Sequence, residues 1–347
     1  MSRRQAFVLA AALLARGAEA GVITLPPSLA APGGFGAQTF LAPAAPASFA
    51  LVLPASLSLI PVLSAAPAAL AAAVIPAPAV ERLAAPFGRV EVIRGFGSRI
   101  LDNRRDVAVY LPPGYNESNA SYPVLYIQDG QNVFDPATAF GGTDWGLAQT
   151  LDRLIASGEM ARVIVIAPYN TPDRIDEFTP VADAVHGGGN GDAYGRFLSD
   201  ELKPFVDARF RTRPGPEDTA VMGSSLGALI SLHLAFTRPD VYSRAAALSP
   251  SLWWDEAWLT RYARGGPLPE HRPRLWIDMG TEEGDGADAH AGNIEGLRAF
   301  HAALYGRGWR DGAGLESREI EGASHNELAW RARAADVLKF LFPPAAR

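Results

Sequence analysis

The sequence contains no cysteine among its 347 residues. A chain without thiols forms no disulfide, holds no thiolate zinc or iron–sulfur site and has no cysteine nucleophile. Positive charge is also scarce, because 31 Lys and Arg against 37 Asp and Glu give a net charge of −6. Such a balance lacks the basic footprint of proteins that bind nucleic acid or anionic membranes. We therefore predict no nucleic-acid partner, and nothing in the sequence calls for a cofactor or a metal ion.

The N-terminus indicates the cellular compartment. Arg3 and Arg4 precede an apolar run at 6–15, and residues 18–20 (A-E-A) form a small-x-small cleavage site. This is the layout of a signal peptide. The apolar run is too short to span a membrane. We predict that residues 1–20 direct export to the periplasm or out of the cell.

Residues 21–85 are rich in Ala, Pro, Leu and Ser, and no charged side chain occurs between Glu19 and Glu81. Repeated prolines interrupt helix and strand, so we predict a low-complexity linker without a fold of its own. A membrane-associated segment at 51–63 is the alternative, although its prolines argue against a spanning helix. The catalytic domain is predicted to occupy 86–347.

Short apolar strands alternate with helices over this domain. Strands are predicted near 90–93, 105–111, 124–128, 163–167, 219–222, 245–248, 275–279 and 316–320. Several are continuous apolar runs, which suit burial on both faces of a sheet. The alternation predicts an α/β fold with a mostly parallel central sheet and helices on both faces. Ligands of such sheets bind beyond the carboxyl ends of the strands.

Residues 223–227 (G-S-S-L-G) form the most informative motif, because an apolar strand precedes them and an apolar helix follows. Strand, G-x-S-x-G and helix together are typical of a nucleophile elbow, whose turn presents the central serine, Ser225. The N–H of Leu226 would then lie at a helix N-terminus, where it can stabilise an oxyanion. A tight turn bounded by glycines, with no chemical role, is the alternative.

A serine hydroxyl acts as a nucleophile only with a base within hydrogen-bond reach. Of the six histidines, His325 alone follows the last predicted strand, which makes it the predicted base. A carboxylate should fix the tautomer of this histidine. The residues alone leave that acid open among five candidates: Asp278, Glu282, Glu283, Asp285 and Asp288.

Five stretches resemble the "Putative esterase" family of α/β-hydrolases, which includes enterobactin-type and feruloyl esterases. They are residues 126–132, 223–227, 249–254, 280–283 and 325–327. The resemblance implies an α/β-hydrolase fold with Ser225 as nucleophile and His325 as base. It places the acid at the fourth residue of G-T-x-acid, Glu283, and a second oxyanion N–H on Gln131. Ala228 replaces the second glycine that usually follows the elbow, and residues 21–85 have no counterpart in the family.

The expected function is that of a serine carboxylesterase that works through an acyl-enzyme on a small-molecule ester. Trp145, Trp253 and Trp254 would form an aromatic wall suited to an aryl or sugar ester, or they could equally be packing residues. The family does not fix the substrate. Two alternatives stay open: an acyltransferase with the same triad, and a non-catalytic binding module on a hydrolase scaffold.

Overall fold

The computed structural model describes residues 87–344. The predicted signal peptide and the segment 21–85 lie outside these residues, so both stay predictions from the sequence.

Within residues 87–344 the chain alternates between strands and helices, as the sequence pattern predicts. The strands are β1 (Arg89–Ser98), β2 (Asn103–Leu111), β3 (Val124–Ile127), β4 (Ile164–Pro168), β5 (Ala182–Asp183), β6 (Gly187–Gly188), β7 (Thr219–Ser224), β8 (Arg244–Leu248), β9 (Arg274–Gly280) and β10 (Leu315–Ile320). The α-helices are α1 (Leu147–Ala156), α2 (Arg174–Glu177), α3 (Gly191–Arg196), α4 (Lys203–Arg209), α5 (Leu226–Thr237), α6 (Trp254–Gly265), α7 (Ala287–Gly306) and α8 (Glu327–Leu341). A π-helical turn, Phe197–Leu202, connects α3 to α4.

Eight of the described strands form one sheet in the order β1-β2-β4-β3-β7-β8-β9-β10. β2 pairs antiparallel with β1 and β4, whereas the other neighbouring pairs of this sheet are parallel. The prediction of a mostly parallel sheet is therefore confirmed. β5 and β6 form a separate two-stranded hairpin. The sequence did not predict this hairpin, because two residues are too few to show a strand pattern.

The sheet is buried between two layers of helices. Successive residues of a strand face opposite sides. Val107 and Val109 of β2 accordingly pack in one core cluster with residues of α3 to α7. Ala108 and Tyr110 pack in a second cluster with residues of α1 and α8. The predicted helices on both faces of the sheet are thus present, which explains why the central strands are apolar throughout.

Helix α5 occupies the centre of one layer, and all of residues 226–236 are buried. It is apolar around its whole circumference, as expected for a helix enclosed on every side. A rigid, enclosed helix gives the turn that precedes it a fixed position. No helix within residues 87–344 has both the length and the apolar character needed to cross a membrane.

The loops after β3, β7, β8, β9 and β10 leave the sheet at the same edge, because these strands run parallel. Side chains that are far apart in sequence meet there. The loops hold Gln131, Ser225, Ser251, Glu283 and His325.

Candidate active site

Ser225 occupies the turn between β7 and α5, in the strand–turn–helix context that the motif predicts. Its backbone has φ 56° and ψ −122°, a conformation that costs an L-residue about 1–3 kcal/mol. A Cβ at Gly223 would lie 2.4 Å from the backbone of Gly227, so only glycine fits there. The Ser225 N–H donates to the carbonyl of Leu248 at 3.0 Å. This bond extends the β7–β8 pairing and holds the serine at the carboxyl edge of the sheet.

The half-buried hydroxyl of Ser225 has a neighbouring hydroxyl, with its Oγ 3.4 Å from Ser251 Oγ. Ser251 is fixed against the elbow because its N–H donates to the carbonyl of Ser225 at 3.2 Å. Within the described residues, no hydrogen bond joins Ser225 Oγ to His325. Catalytic hydrogen bonds often tighten only in the complex with substrate. We therefore expect Ser225 to pair with His325 when a substrate is bound.

His325 lies in the loop between β10 and α8. Its Nδ1 is 2.8 Å from Oε2 of Glu283, and its ring packs edge-to-face against Trp330 with 5.0 Å between centroids. The histidine side chain is 39% exposed, whereas that of Glu283 is 2% exposed. His325 Nε2 has no hydrogen-bond partner among residues 87–344. The hydrogen bond to Glu283 thus holds the ring through Nδ1, and Nε2 makes no hydrogen bond within the described residues.

The loops after β9 and β10 are held side by side. The Glu282 N–H donates to the carbonyl of Ala323 at 3.0 Å. A Cβ at Gly280 would lie 2.1 Å from the same carbonyl oxygen, so this close approach requires glycine. The Gly280 N–H donates to Oε1 of Glu283 at 2.7 Å. The Glu283 side chain is thereby turned back under the loop, towards His325.

Hydrogen bonds stabilise the Glu283 carboxylate as an anion. Besides Gly280, the hydroxyl of Ser249 lies 2.5 Å from Oε1, and His325 lies beside Oε2. Burial raises the pKa of Glu283, but the hydrogen bonds from His325, Ser249 and Gly280 and the charge of His325 outweigh it. The pKa is therefore below its usual value. An acid held in this state is suited to fix an imidazole tautomer and to stabilise its cation.

Asp278, another candidate acid, forms its hydrogen bonds with residues other than His325. It is fully buried in β9 and accepts hydrogen bonds from Nε of Arg333 at 3.0 Å and from Trp276 Nε1 at 2.7 Å, while Nη2 of Arg333 forms an ion pair with it at 2.9 Å. Burial raises the pKa of Asp278, and the guanidinium of Arg333 opposes this effect. Because these contacts are all N–H donors, the carboxylate anion is the form that the site fits.

Glu282 and Asp285 are exposed on the surface of the same loop. Among Asp278, Glu282, Glu283 and Asp285, the one that hydrogen-bonds to His325 is Glu283.

The two backbone N–H groups expected to stabilise an oxyanion come from adjoining segments. Leu226 is the first residue of α5, and Gln131 lies in the 3-10 turn Gly130–Asn132 after β3. Neither N–H donates to an acceptor within the described residues. A Cβ at Gly227 would lie 3.0 Å from the Cβ of Gln128, so the elbow and the loop after β3 are in close contact. The role of these two N–H groups in binding an oxyanion stays a prediction.

The loop after β3 is held in place by polar side chains. The sequence pattern did not indicate them. Asp129 adopts φ 56° and accepts two hydrogen bonds from Arg174 at 2.8 Å and one from the Asn170 amide at 2.6 Å. The Asn170 N–H also donates to Oε1 of Gln131 at 3.1 Å. Asn170 and Arg174 follow a different strand, β4, so their position becomes visible only in the folded chain.

The three tryptophans expected to form an aromatic wall lie in different environments. Trp145 and Trp254 are 2% exposed, whereas Trp253 is 53% exposed. The indole N–H of Trp254 donates to the carbonyl of Val181 at 2.8 Å. The ring of Trp253 contacts that of His186 edge-on, with 5.4 Å between centroids. Of the three rings, Trp253 alone presents a large surface outside the core.

Comparison with known proteins shows the family to which this chain belongs. The family model described as "Putative esterase" matches residues 98–341. The chain belongs to this family. It is an ester hydrolase, as the names of its relatives also indicate.

Two relatives of this esterase have informative names. The endo-1,4-beta-xylanase/feruloyl esterase of Xylanibacter ruminicola is 26% identical over 251 residues, which are 71% of this chain and 30% of that protein. The siderophore enterobactin esterase of Emericella nidulans is 28% identical over 193 residues, which are 48% of this chain and 60% of that protein. The chain thus spans less than two thirds of the length of either relative.

A solved structure shows the same fold. An IroE-like serine hydrolase from Shewanella oneidensis superimposes with a TM-score of 0.59 at 22% identity. The superposition covers 73% of this esterase and 80% of that chain. The α/β-hydrolase-like fold implied by the motifs is confirmed.

Proposed function

We propose that this esterase hydrolyses a carboxylic ester through an acyl-enzyme on Ser225. One observation carries most weight: His325 Nδ1 is held 2.8 Å from the buried carboxylate of Glu283. This pair lies at the sheet edge where the elbow presents the serine. A nucleophile on a sharp turn, with a base that a carboxylate orients, is the arrangement that activates a serine hydroxyl.

In the proposed reaction, Nε2 of His325 takes the proton of Ser225 as Oγ attacks the carbonyl carbon of the ester. Glu283 stays ionised and stabilises the imidazolium. The N–H groups of Leu226 and Gln131 donate to the oxyanion that forms. Collapse of this intermediate expels the alcohol, which takes the proton from His325. Water then attacks the acyl-enzyme by the same steps in turn, releasing the acid and restoring Ser225.

The substrate is proposed to be a small-molecule ester. Relatives named as a feruloyl esterase and a siderophore esterase support this class. We propose that Trp253 contacts the substrate, and its position two residues after Ser251, whose Oγ lies 3.4 Å from Ser225 Oγ, supports this role. Its exposed ring can stack on an apolar or aromatic group of the ester.

A fluorophosphonate probe tests the proposed nucleophile. Mass spectrometry of the labelled protein should locate the adduct on Ser225. Ser225→Ala should abolish labelling and lower kcat by several orders of magnitude while leaving the fold intact. Ser224→Ala removes the neighbouring hydroxyl and is the matched control, which should keep most activity. Label on another residue, or an active Ser225→Ala enzyme, would overturn the proposal.

Two predictions from the sequence can be tested on the same protein. If the enzyme transfers acyl groups, an added alcohol or sugar should accelerate ester turnover beyond the rate with water alone.

Export through residues 1–20 should give a mature protein whose N-terminus begins near residue 21, as measured by N-terminal sequencing.

A further inference from the structure

A buried hydroxyl lies directly behind the carboxylate of Glu283. Ser249, the residue after β8, is 1% exposed and has φ 49°. Positive φ is uncommon for a residue with a side chain. The Ser249 N–H donates to the backbone carbonyl of Asp278 at 2.9 Å. The backbone of Ser249 is thus fixed in a conformation in which its hydroxyl contacts buried partners in the protein interior.

Three polar atoms surround Oγ of Ser249. Oε1 of Glu283 lies at 2.5 Å, Nη2 of Arg333 at 2.7 Å and Nε1 of Trp330 at 2.9 Å. Guanidinium and indole nitrogens can only donate hydrogen bonds, so both donate to the lone pairs of the hydroxyl oxygen. The single hydroxyl proton is left for the carboxylate. The donor–acceptor direction of the bond from Ser249 to Glu283 is therefore determined by its neighbours.

We infer that Ser249 is a positioning residue for the hydrolytic reaction, because its hydroxyl holds Oε1 of Glu283 so that Oε2 faces His325. This role presupposes the proposed function. Hydrogen bonds from a cationic donor and from the indole polarise the hydroxyl and strengthen it as a donor. The carboxylate is thereby held in one rotamer, which keeps the histidine ring in the orientation that a base at Nε2 requires.

Arg333 anchors this arrangement from helix α8. Its Nη2 lies 3.9 Å from Oε1 of Glu283, beyond direct hydrogen-bond distance, and its Nε donates to Asp278 at 3.0 Å. Asp278 therefore holds the guanidinium in place, and Ser249 connects it to Glu283. In this arrangement the second buried carboxylate supports the first, although it does not contact His325.

Two substitutions test the role of the hydroxyl. Ser249→Ala removes it, and Ser249→Gly removes it while relieving the strain of the positive φ. Steady-state kinetics should be normalised to the active fraction found by fluorophosphonate titration. Both variants should lose about 10- to 100-fold in kcat, as expected for a hydrogen bond to a charged group. KM should change less than about threefold, because the hydroxyl is buried and bonds to Glu283.

A glycine variant that regains wild-type kcat would show that backbone strain matters and not the hydroxyl, and it would overturn the positioning role. Ser249→Cys, which keeps a weaker donor, should have a kcat between those of Ser249→Ala and the wild type. The matched control is Ser199→Ala, which removes another buried serine hydroxyl, one bonded to the carbonyl of Gly195 at 2.9 Å. Its kcat should stay unchanged.

A double-mutant cycle tests whether Ser249 affects kcat through Glu283. In a Glu283→Gln background, adding Ser249→Ala should lower kcat less than about threefold, because the carboxylate through which Ser249 acts is gone. If the two substitutions lower kcat by independent factors that multiply in the double variant, Ser249 does not act through Glu283. A wild type that is labelled at Ser225 and active, with a Ser249→Ala variant of unchanged kcat, would overturn the positioning role alone. An unlabelled wild type would instead overturn the proposed function.

Discussion

The two oxygens of Glu283 have separate partners: Oε2 lies 2.8 Å from Nδ1 of His325, and Oε1 lies 2.5 Å from Oγ of Ser249. A carboxylate with both oxygens engaged has one preferred rotamer. Because an ionised carboxylate only accepts hydrogen bonds, Nδ1 of His325 carries the hydrogen. The neutral imidazole then has its lone pair on Nε2, the nitrogen that a base in this site must use.

Glu283→Gln is expected to lower kcat by about two to four orders of magnitude, with a small effect on KM. The amide can turn its NH2 group towards His325 Nδ1, which favours the tautomer with the hydrogen on Nε2. That tautomer cannot take a proton from Ser225. Steady-state kinetics on a soluble ester, normalised by active-site titration, measure the loss.

Glu282→Gln and Asp285→Asn are the matched controls, since both side chains are exposed on the same loop. Each should cost less than about tenfold in kcat. If Glu283→Gln stays active and one control does not, the acid is that other residue. If all three variants stay active, the reaction uses Ser225 and His325 without a carboxylate.

The lowered pKa of Glu283 predicts a loss of stability in acid. Its usual value is 4.5, and the folded value is lower. The ionised carboxylate therefore stabilises the fold above pH 4.5, and this contribution is lost as the pH falls through the folded pKa. Denaturant unfolding of the wild type and of Glu283→Gln at several pH values measures this contribution of the carboxylate to the free energy of unfolding. The difference in free energy of unfolding should shrink as the pH falls below 4.5 through the folded pKa, and a constant difference would contradict the assignment.

Local patterns in the sequence predicted the elbow and most of the central sheet. The position of Ser225 in a sharp turn could be predicted because strand, turn and helix are contiguous in the chain, and each has its own residue signature. The position of His325 at the same edge of the sheet could be predicted because strand order implies which loops share that edge. The residues alone left the acid open among several carboxylates. Glu283 was preferred through the family resemblance, and the contact with His325 is in agreement with it.

The contacts that Ser249 makes with distant segments could not be predicted. Ser249 and Arg333 meet across 84 positions, and no spacing rule in a single sequence connects them. The adjacent residues Trp253 and Trp254 share the same local signal, yet they differ in exposure, 53% against 2%. Burial of one and exposure of the other depend on where the loop enters α6 and on the β5–β6 hairpin that covers Trp254.

The buried pair Arg105–Glu177 should matter for stability. The side chains are 1% and 2% exposed, and two hydrogen bonds of 2.6 and 2.9 Å join them. Glu177→Leu leaves the guanidinium buried without its counter-charge. It should lower the free energy of unfolding by about 3–5 kcal/mol, measured by denaturant titration. Adding Arg105→Met should recover part of this loss, because the unpaired charge is removed.

The exposed pair Arg298–Glu319 is the control for this measurement. Its side chains are 65% and 38% exposed, with 2.7 Å between the closest atoms. Glu319→Gln should cost less than about 1 kcal/mol, because water screens the pair. Equal losses for Glu177→Leu and Glu319→Gln would show that burial does not set the cost of breaking these pairs.

Trp253 should contribute to substrate binding, and Trp254 should contribute to the stability of the fold. Trp253→Ala removes an exposed ring from the proposed substrate site, so KM for an aryl ester should rise about 5- to 20-fold, as for a lost aromatic contact of 1–2 kcal/mol. KM for a small alkyl ester should change little, and so should the melting temperature.

Trp254→Ala removes a buried ring and should lower the free energy of unfolding by about 3–5 kcal/mol. Kinetics on both esters and thermal unfolding of both variants separate the two roles. A Trp253→Ala enzyme with unchanged KM for every aryl ester would remove this ring from the substrate site.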